Sequence, residues 1–197
     1  VEQQLLTWIV GQPVQFYAPI WAGVNKKTGA PQWYLPGDDP TKTTKDPSRV
    51  TSDYSLALSQ ATGKNRNPDW TGGFGVRAGW KGFSLVADFS FQLNKYLINN
   101  DAFFTHNIHR FLGYNQSKDL IGNIWTVNNP NAAYPSKNYH TMEFDSRLLE
   151  NASFMRLKNI TLSYMLPKSV LGKTRVLSSA SVFVTGRNLI TVTNYTG

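Results

Sequence analysis

Residues 72–93, GGFGVRAGWKGFSLVADFSFQL, indicate the fold class of this chain. From Phe74 onward, apolar side chains occupy every second position in both halves of the stretch. This period of two predicts two antiparallel strands. Lys81-Gly82 leaves a turn of two residues, in which the glycine can adopt a positive φ. We therefore predict a β-hairpin with arms at 72–80 and 83–93.

A second strand pair is predicted nearer the end of the sequence. In SFMRLKNITLSYML (153–166), Ile160, Leu162 and Tyr164 share one face, and the following proline ends the strand because it has no backbone donor. The partner is ASVFVTGRNLI (180–190), whose two faces are less clearly sorted. A short basic connection, 167–179, joins the two strands.

The remaining segments, 1–70 and 94–152, are rich in Pro, Gly, Asn and Asp and are interpreted as long connections. Short turns that alternate with long loops are typical of outer-membrane barrels, and a tilted strand needs about 9–11 residues to cross a bilayer. A half-buried antiparallel sheet of a soluble protein gives the same alternation. Periodicity alone therefore leaves both architectures open.

Composition excludes several classes of function. The 197 residues carry a net charge of +8, but only 16% are charged, which argues against a nucleic-acid-binding module. The absence of Cys excludes disulfides, thiolate metal ligands and thiol nucleophiles. The sequence contains no uninterrupted apolar run of about 20 residues, the length of a membrane-spanning helix.

Four stretches resemble, in the same order, segments of SusC/RagA-type TonB-dependent outer-membrane transporters. They are GQPVQFYAPIWAGVNKKTGAPQWY (11–34), NPDWTGGFGVRAGWKGFSLVADFSFQ (67–92), NASFMRLKNITLSYMLPKSVL (151–171) and VFVTGRNLITVTNYTG (182–197). Ala18-Pro19, Ser163 and Arg187 depart from the family pattern, which leaves the subgroup and the substrate open.

The resemblance implies an all-β fold, namely part of a large antiparallel transmembrane barrel of about 22 strands. It implies a multi-pass protein of the Gram-negative outer membrane that imports glycan oligomers or peptides. The expected partners are a SusD-like surface lipoprotein, the TonB complex, outer-membrane lipid and the substrate. The chain is expected to be a C-terminal part of the barrel that lacks the plug domain, the TonB box and the last strand.

The same resemblance implies a membrane topology. Residues 1–70 are expected to form an extracellular loop region, 72–93 a hairpin, 94–152 an extracellular loop and 153–190 a second hairpin. The Lys81-Gly82 turn is then periplasmic.

Aromatic residues in the expected extracellular segments are candidates for stacking on sugar rings or packing against a lid protein. They are also suited to packing against one another in the upper wall of a barrel. The candidate ligand or lid contacts are Trp21, Trp33, Tyr34, Trp70, Phe103, Phe104, Trp125 and Tyr139. Residues 153–197 contain no Asp or Glu, and Arg156, Lys158 and Arg187 are candidate contacts to anionic lipopolysaccharide.

No pattern in the sequence predicts an enzyme, a cofactor site or a metal site. His106 and His109 have the spacing H-x-x-H, but no helix or third ligand at a fixed distance supports a metal centre. The sequence has no nucleophile elbow and no Gly-rich phosphate loop. The alternative to a transporter is a secreted β-sandwich module whose aromatic loops bind carbohydrate.

Overall fold

The computed structural model describes residues 6–39, 41–108, 110–111, 113–172 and 177–196, which form two units. The first, here called the loop unit, comprises the described parts of Val1–Asn67, Lys95–Asn151 and Tyr195–Gly197. The second, here called the strand unit, comprises the described parts of Pro68–Asn94 and Ala152–Asn194.

The regular elements are mostly strands, so the all-β prediction is confirmed. The strands are β1 (Leu6–Thr7), β2 (Gln15–Ala18), β3 (Ile20–Val24), β4 (Pro31–Tyr34), β5 (Val50–Thr51), β6 (Gln60–Asn65), β7 (Trp70–Trp80), β8 (Phe83–Leu93), β9 (Tyr96–Ile98), β10 (Leu149–Asn151), β11 (Phe154–Met165) and β12 (Ser181–Thr193). The helices are α1 (Asn100–Thr105) and α2 (Lys168–Leu171), and single 3-10 turns lie at Tyr54–Leu56, Lys118–Leu120 and Ser146–Leu148. None of the described helices has the length and apolar character needed to cross a membrane.

The strand unit contains both predicted strand pairs in one antiparallel sheet. The strand order is β12-β11-β8-β7, so the two pairs lie side by side through β8 and β11. β7 begins at Trp70 rather than at residue 72, and β12 continues to Thr193 rather than ending at 190. The described sheets are open, so a closed barrel of about 22 strands is not observed and stays a prediction.

The turn between β7 and β8 fixes their register. Lys81 has a φ of 46° and Gly82 a φ of 89°, and two consecutive positive φ values are the signature of the type I′ hairpin turn. Trp80 consequently pairs with Phe83, and the register continues without interruption to Trp70 and Leu93.

Register places the apolar side chains of all four strands on one face of the sheet. The rows across this apolar face are Trp80/Phe83/Tyr164/Val182, Ala78/Leu85/Leu162/Val184, Val76/Ala87/Ile160/Gly186 and Phe74/Phe89/Leu157/Ile190. Several of its large side chains are exposed, with Trp80 at 69% and Val184 at 66%.

The opposite face, here called the polar face, carries the charged and hydroxyl side chains. Its rows are Arg77/Val86/Thr161/Thr185, Gly75/Asp88/Asn159/Arg187 and Gly73/Ser90/Arg156/Thr191. The sheet is therefore two-faced across its whole width.

A β-bulge keeps the two faces separate. On β11, Lys158 is an extra residue, because Leu157 pairs with Phe89 while Asn159 pairs with the adjacent Asp88. The bulge reverses the alternation of β11, so that Leu157 shares the apolar face with Ile160. On β12 the register skips Asn188 and Leu189 between Arg187 and Ile190, so the alternation of β12 is kept. Its faces look poorly sorted in the sequence because Phe183 lies on the polar face, paired with Ser163.

The loop unit is folded, which corrects the interpretation of 1–70 and 94–152 as mostly connection. It contains three small sheets, β1-β2-β6, β3-β4-β5 and β9-β10. One core cluster is formed by Leu6, Phe16 and Leu149. The other contains Phe103 and Leu148, so both clusters join residues that are far apart in the sequence.

Gly29 joins two loops of the loop unit. Its carbonyl accepts from Ser136 N at 2.9 Å, and the indole of Trp125 donates to the carbonyl of Lys26 at 3.2 Å. Gly29 has a φ of +72°, and a Cβ at this position would overlap the Trp125 ring. Both the backbone conformation and the close packing therefore require glycine here.

We expect Gly29→Ala, in the full-length protein, to weaken local stability around residues 25–31 and 123–136 by at least about 2 kcal/mol, because left-handed strain and overpacking add. Hydrogen exchange followed by mass spectrometry measures the change. Gly113→Ala is the matched control, since a Cβ at Gly113 meets nothing within 4 Å. Equal exchange in the two variants would contradict the expectation.

Candidate functional site

A cleft of about 370 Å³ in the loop unit is the candidate functional site. Three pairs of side chains account for most of its chemistry: Trp21 with Arg147, Glu150 with Thr196, and His106 with Tyr134. These residues come from distant parts of the sequence, and the small sheets and turns of the loop unit bring them together.

Arg147 and Trp21 form the first wall. The guanidinium of Arg147 lies over the Trp21 ring, 3.6 Å from its centroid, which is close cation–π geometry. On its other side Arg147 donates to both carboxylate oxygens of Asp145, at 2.6 Å from Nη2 to Oδ2 and 2.9 Å from Nε to Oδ1. Its Nη1 donates to the carbonyl of Thr141 at 2.9 Å, so Arg147 is held in one position.

Asp145 anchors this wall from inside the unit. Its side chain is fully buried and accepts from the indole nitrogen of Trp33 at 2.9 Å. It also accepts from Arg147 N, which caps the 3-10 turn at Ser146–Leu148. A buried carboxylate needs such donors, because an unpaired charge away from water is strongly unfavourable.

Tyr54 packs against the residues that support the first wall. Its ring packs edge-on against Trp33, and its hydroxyl donates to the carbonyl of Phe144 at 2.8 Å. Burial, together with the negative charges of Glu143 and Asp145, raises the pKa of Tyr54 to about 12. The hydroxyl therefore stays protonated and remains a donor at physiological pH.

Glu150 forms the second wall. It accepts from Asn99 Nδ2 at 2.7 Å, from Thr196 N at 2.9 Å and from Thr196 Oγ1 at 2.8 Å. Asn99 is itself fixed, because its Oδ1 caps α1 by accepting from Ala102 N. Burial opposes the charge of Glu150, but the hydrogen bonds from Thr196 and Asn99 outweigh burial and lower the pKa of Glu150. Glu150 is therefore a fixed carboxylate at neutral pH.

His106 and Tyr134 form the third wall. Their rings are nearly parallel, with centroids 5.6 Å apart. His106 Nδ1 lies 3.2 Å from the carbonyl of Ala102, and since a carbonyl only accepts, this nitrogen carries the proton. In the neutral ring Nε2 is then an acceptor, 3.7 Å from Oδ2 of Asp119. A donor placed between these two atoms would satisfy both.

The predicted ligand contacts have different environments in the structure. Trp21 lines the cleft, whereas Trp33 and Phe103 are buried, at 1% and 4% exposure, and pack inside the loop unit. Their burial corrects the expectation that both rings are available in loops, their contact with a ligand or lid protein stays a prediction, and Trp33 supports Asp145. Trp70 is also corrected, because it is the first residue of β7 on the apolar face and not part of a loop.

The other four predicted contacts stay candidates without a common site. Phe104 packs against Phe103 in the aromatic core cluster. Trp125 contacts the turn at Lys26, and Tyr34 lies in β4. Tyr139 is exposed at 38%.

The predicted lipopolysaccharide contacts do not lie on one face. Arg156 and Arg187 belong to the polar face by register, with Arg156 Nε donating to Thr191 Oγ1 at 3.0 Å. Arg187 is in the middle of β12 rather than near its end. Contact of these residues with lipopolysaccharide stays a prediction. Lys158 is the exposed bulge residue.

Several site residues were missed in the sequence. Arg147, Asn99 and Asp119 follow no recognised spacing, and Thr196 lies 97 positions from Asn99, with which it shares Glu150. Only packing in three dimensions identifies such a set. Within the described residues, no three His, Cys, Asp or Glu side chains form a group that could hold a metal ion, and His109 lies outside those residues.

Among curated proteins, the chain is similar to a TonB-dependent receptor. The chain is 32% identical over 130 residues to the TonB-dependent receptor P3 of Formosa agariphila. These 130 residues are 66% of this chain and 12% of that receptor. No protein-family model matches the chain.

Two solved structures are similar to this chain along its whole length. The RagAB peptide transporter matches at 41% identity with a TM-score of 0.86, and the RagAB peptide importer in its open-open state matches at 41% with a TM-score of 0.85. Each match covers 100% of this chain and 21% of the solved chain. The chain therefore spans about a fifth of the length of these solved chains.

We expect Asp145→Ala, in the full-length protein, to destabilise the first cleft wall by about 3–5 kcal/mol, because Arg147 is left with an unpaired buried charge. Replacing both partners, in Asp145→Leu with Arg147→Met, is expected to recover part of the loss, because no charge is then unpaired although the Trp33 indole still lacks its acceptor. Hydrogen exchange over residues 141–151 measures both. A double variant as unstable as Asp145→Ala would contradict this account of the pair.

Proposed function

Because this chain is a segment of a SusC/RagA-like TonB-dependent receptor, we propose that the full-length protein is an active importer of the bacterial outer membrane. The observation that supports this most strongly is the 41% identity to the RagAB structures over the whole chain, with a TM-score of 0.86. The curated relative is likewise a TonB-dependent receptor.

The strand unit is proposed to be a piece of the barrel wall. Its apolar face, with rows such as Ala78/Leu85/Leu162/Val184, would contact lipid, and its polar face would line the lumen. Strands of 11 to 13 residues are long enough to cross the bilayer when tilted. In a barrel of about 22 strands, the outer strands β7 and β12 would pair with neighbours that complete the wall.

In this proposal the loop unit is extracellular and the Lys81-Gly82 turn is periplasmic. The cleft would then be accessible to nutrients arriving from outside, with Trp21 in its wall. Phe104, Trp125, Tyr34 and Tyr139 are proposed, less specifically, as contacts to ligand or to a lid protein.

The proposed substrates are peptides or glycan oligomers, and the proposed partners are a SusD-like surface lipoprotein and the TonB complex. The relatives named RagAB are described as a peptide importer, which favours peptides. These relatives are named as importers or transporters and the curated relative as a receptor, and we propose that this protein is likewise not an enzyme.

The alternative, a secreted carbohydrate-binding β-sandwich, fits the strand unit less well. In a sandwich the apolar face packs against a second sheet and is buried. Here Trp80, Val184 and Val192 are exposed at 69%, 66% and 67%. An apolar surface of this kind marks contact with lipid or another protein surface.

Fractionation of cells that express the full-length gene product tests the localisation. We expect the protein in the outer-membrane fraction, with a gel mobility that changes on heating, because intact barrels resist detergent. Recovery of a soluble, secreted protein would reject the proposed function.

A charge scan of the strand unit tests its orientation in the membrane. Ile160→Arg places a charge on the apolar face in the middle of β11 and is expected to cost about 2–4 kcal/mol, the cost of Arg at the bilayer midplane. Thr161→Arg, its neighbour on the polar face, is the matched control and should assemble normally. The measurement is the amount of heat-modifiable receptor in the outer membrane, and equal losses in both variants would contradict the assignment of faces.

A further inference from the structure

We infer that the cleft of the loop unit binds the free α-ammonium group of a peptide. The inference rests on the proposed import function and specifies the substrate class of its candidate site. It is carried by three acceptor groups that line one cleft: the carboxylates of Glu150 and Asp119 and the imidazole of His106.

The number of acceptors matches an ammonium group. An –NH3+ group has three N–H donors and no acceptor. Glu150 receives hydrogen bonds from Asn99 and from the amide and hydroxyl of Thr196, which is three donors for about four acceptor positions. His106 Nε2 and Asp119 Oδ2, 3.7 Å apart, provide the other acceptors.

The charge of the cleft has the sign that an ammonium group requires. Arg147 is the one permanent cation named among the lining residues, and its charge is balanced by the buried Asp145. Glu150 and Asp119 are left without a permanent cationic partner among those lining residues. A fixed negative charge in a partly enclosed cleft attracts cations more strongly than the same charge in water.

The rest of the lining fits the chain that follows an N-terminus. Trp21 and Tyr134 present ring surfaces, while Ala102, Ala133 and Met142 supply apolar contact. A volume of about 370 Å³ accommodates the first residues of a peptide. A neutral glycan has no cation for the carboxylates, so it would use the rings but not the charge.

Binding of hexa-alanine and N-acetyl-hexa-alanine to the purified full-length receptor, followed by calorimetry, tests the inference. Acetylation removes the cation and leaves the rest of the peptide. We expect the free peptide to bind at least about tenfold more tightly, the effect of a charge-assisted hydrogen bond. Equal affinities would overturn the inference.

Three variants test whether the cleft causes the preference for the free peptide over the acetylated peptide. Glu150→Gln and Asp119→Asn are each expected to reduce the preference for the free peptide by at least about threefold. Asp119 is 63% exposed, so its variant tests charge without a folding cost. Asp38→Asn, an exposed acid that does not line the cleft, is the control and should keep the preference. A preference unchanged in both cleft variants would overturn the inference.

Maltohexaose separates failure of the inference from failure of the proposed function. If the receptor binds maltohexaose but neither peptide, the ammonium site is overturned and import of glycans still stands. If fractionation finds the protein outside the outer membrane, the proposed import function is rejected, and the inference is rejected with it.

Discussion

The strand unit keeps one apolar face because the pairing of β11 shifts at Lys158. Side chains alternate with a period of two, so an uninterrupted strand would place Leu157 on the same face as Asn159 and opposite to Ile160. The extra residue reverses the alternation of β11, whereas β12 skips two residues between Arg187 and Ile190, where Asn188 adopts a φ of 52°, and keeps its alternation. Without this extra residue, Arg156 would share the face of Ile160 and Leu157 the face of Asn159, so neither face would be suited to lie against lipid. The two-faced sheet on which the proposed function rests depends on this single shift of register.

The loop unit is held by a different kind of interaction. Its strands are two to six residues long, too short to define faces, and buried polar contacts between distant residues supply the specificity. Asp145 illustrates this, because it binds the Arg147 guanidinium, accepts from the Trp33 indole and caps a 3-10 turn. A fully satisfied polar network of this kind favours one arrangement over the alternatives, since any other leaves a buried charge unpaired.

The two types of interaction explain what the sequence could predict. The hairpin at 72–93 is local, with a two-residue turn and strict alternation, and its strands are therefore predictable to within two residues. The short strands at 1–70 and 94–152 are set by long-range pairing, such as Glu150 with Leu97, and leave no periodic signal. The same reasoning applies to the cleft. A half-buried aromatic such as Trp21 can be proposed from the sequence, whereas the burial of Trp33 and Phe103 results from contacts with residues that lie far away along the chain.

Charge is distributed unequally between the strand unit and the loop unit. The net charge of +8 is concentrated where the sequence has no acidic residues, in 153–197, which belongs mainly to the strand unit. The cleft, in the loop unit, is lined by Glu150 and Asp119, and its Arg147 is balanced by Asp145. Electrostatic attraction in a cleft is set by the nearby charges, because charges farther than about 8 Å are screened at physiological salt. A cationic chain can therefore hold a cation-binding cleft, and its overall charge gives no guide to the charge of its ligand.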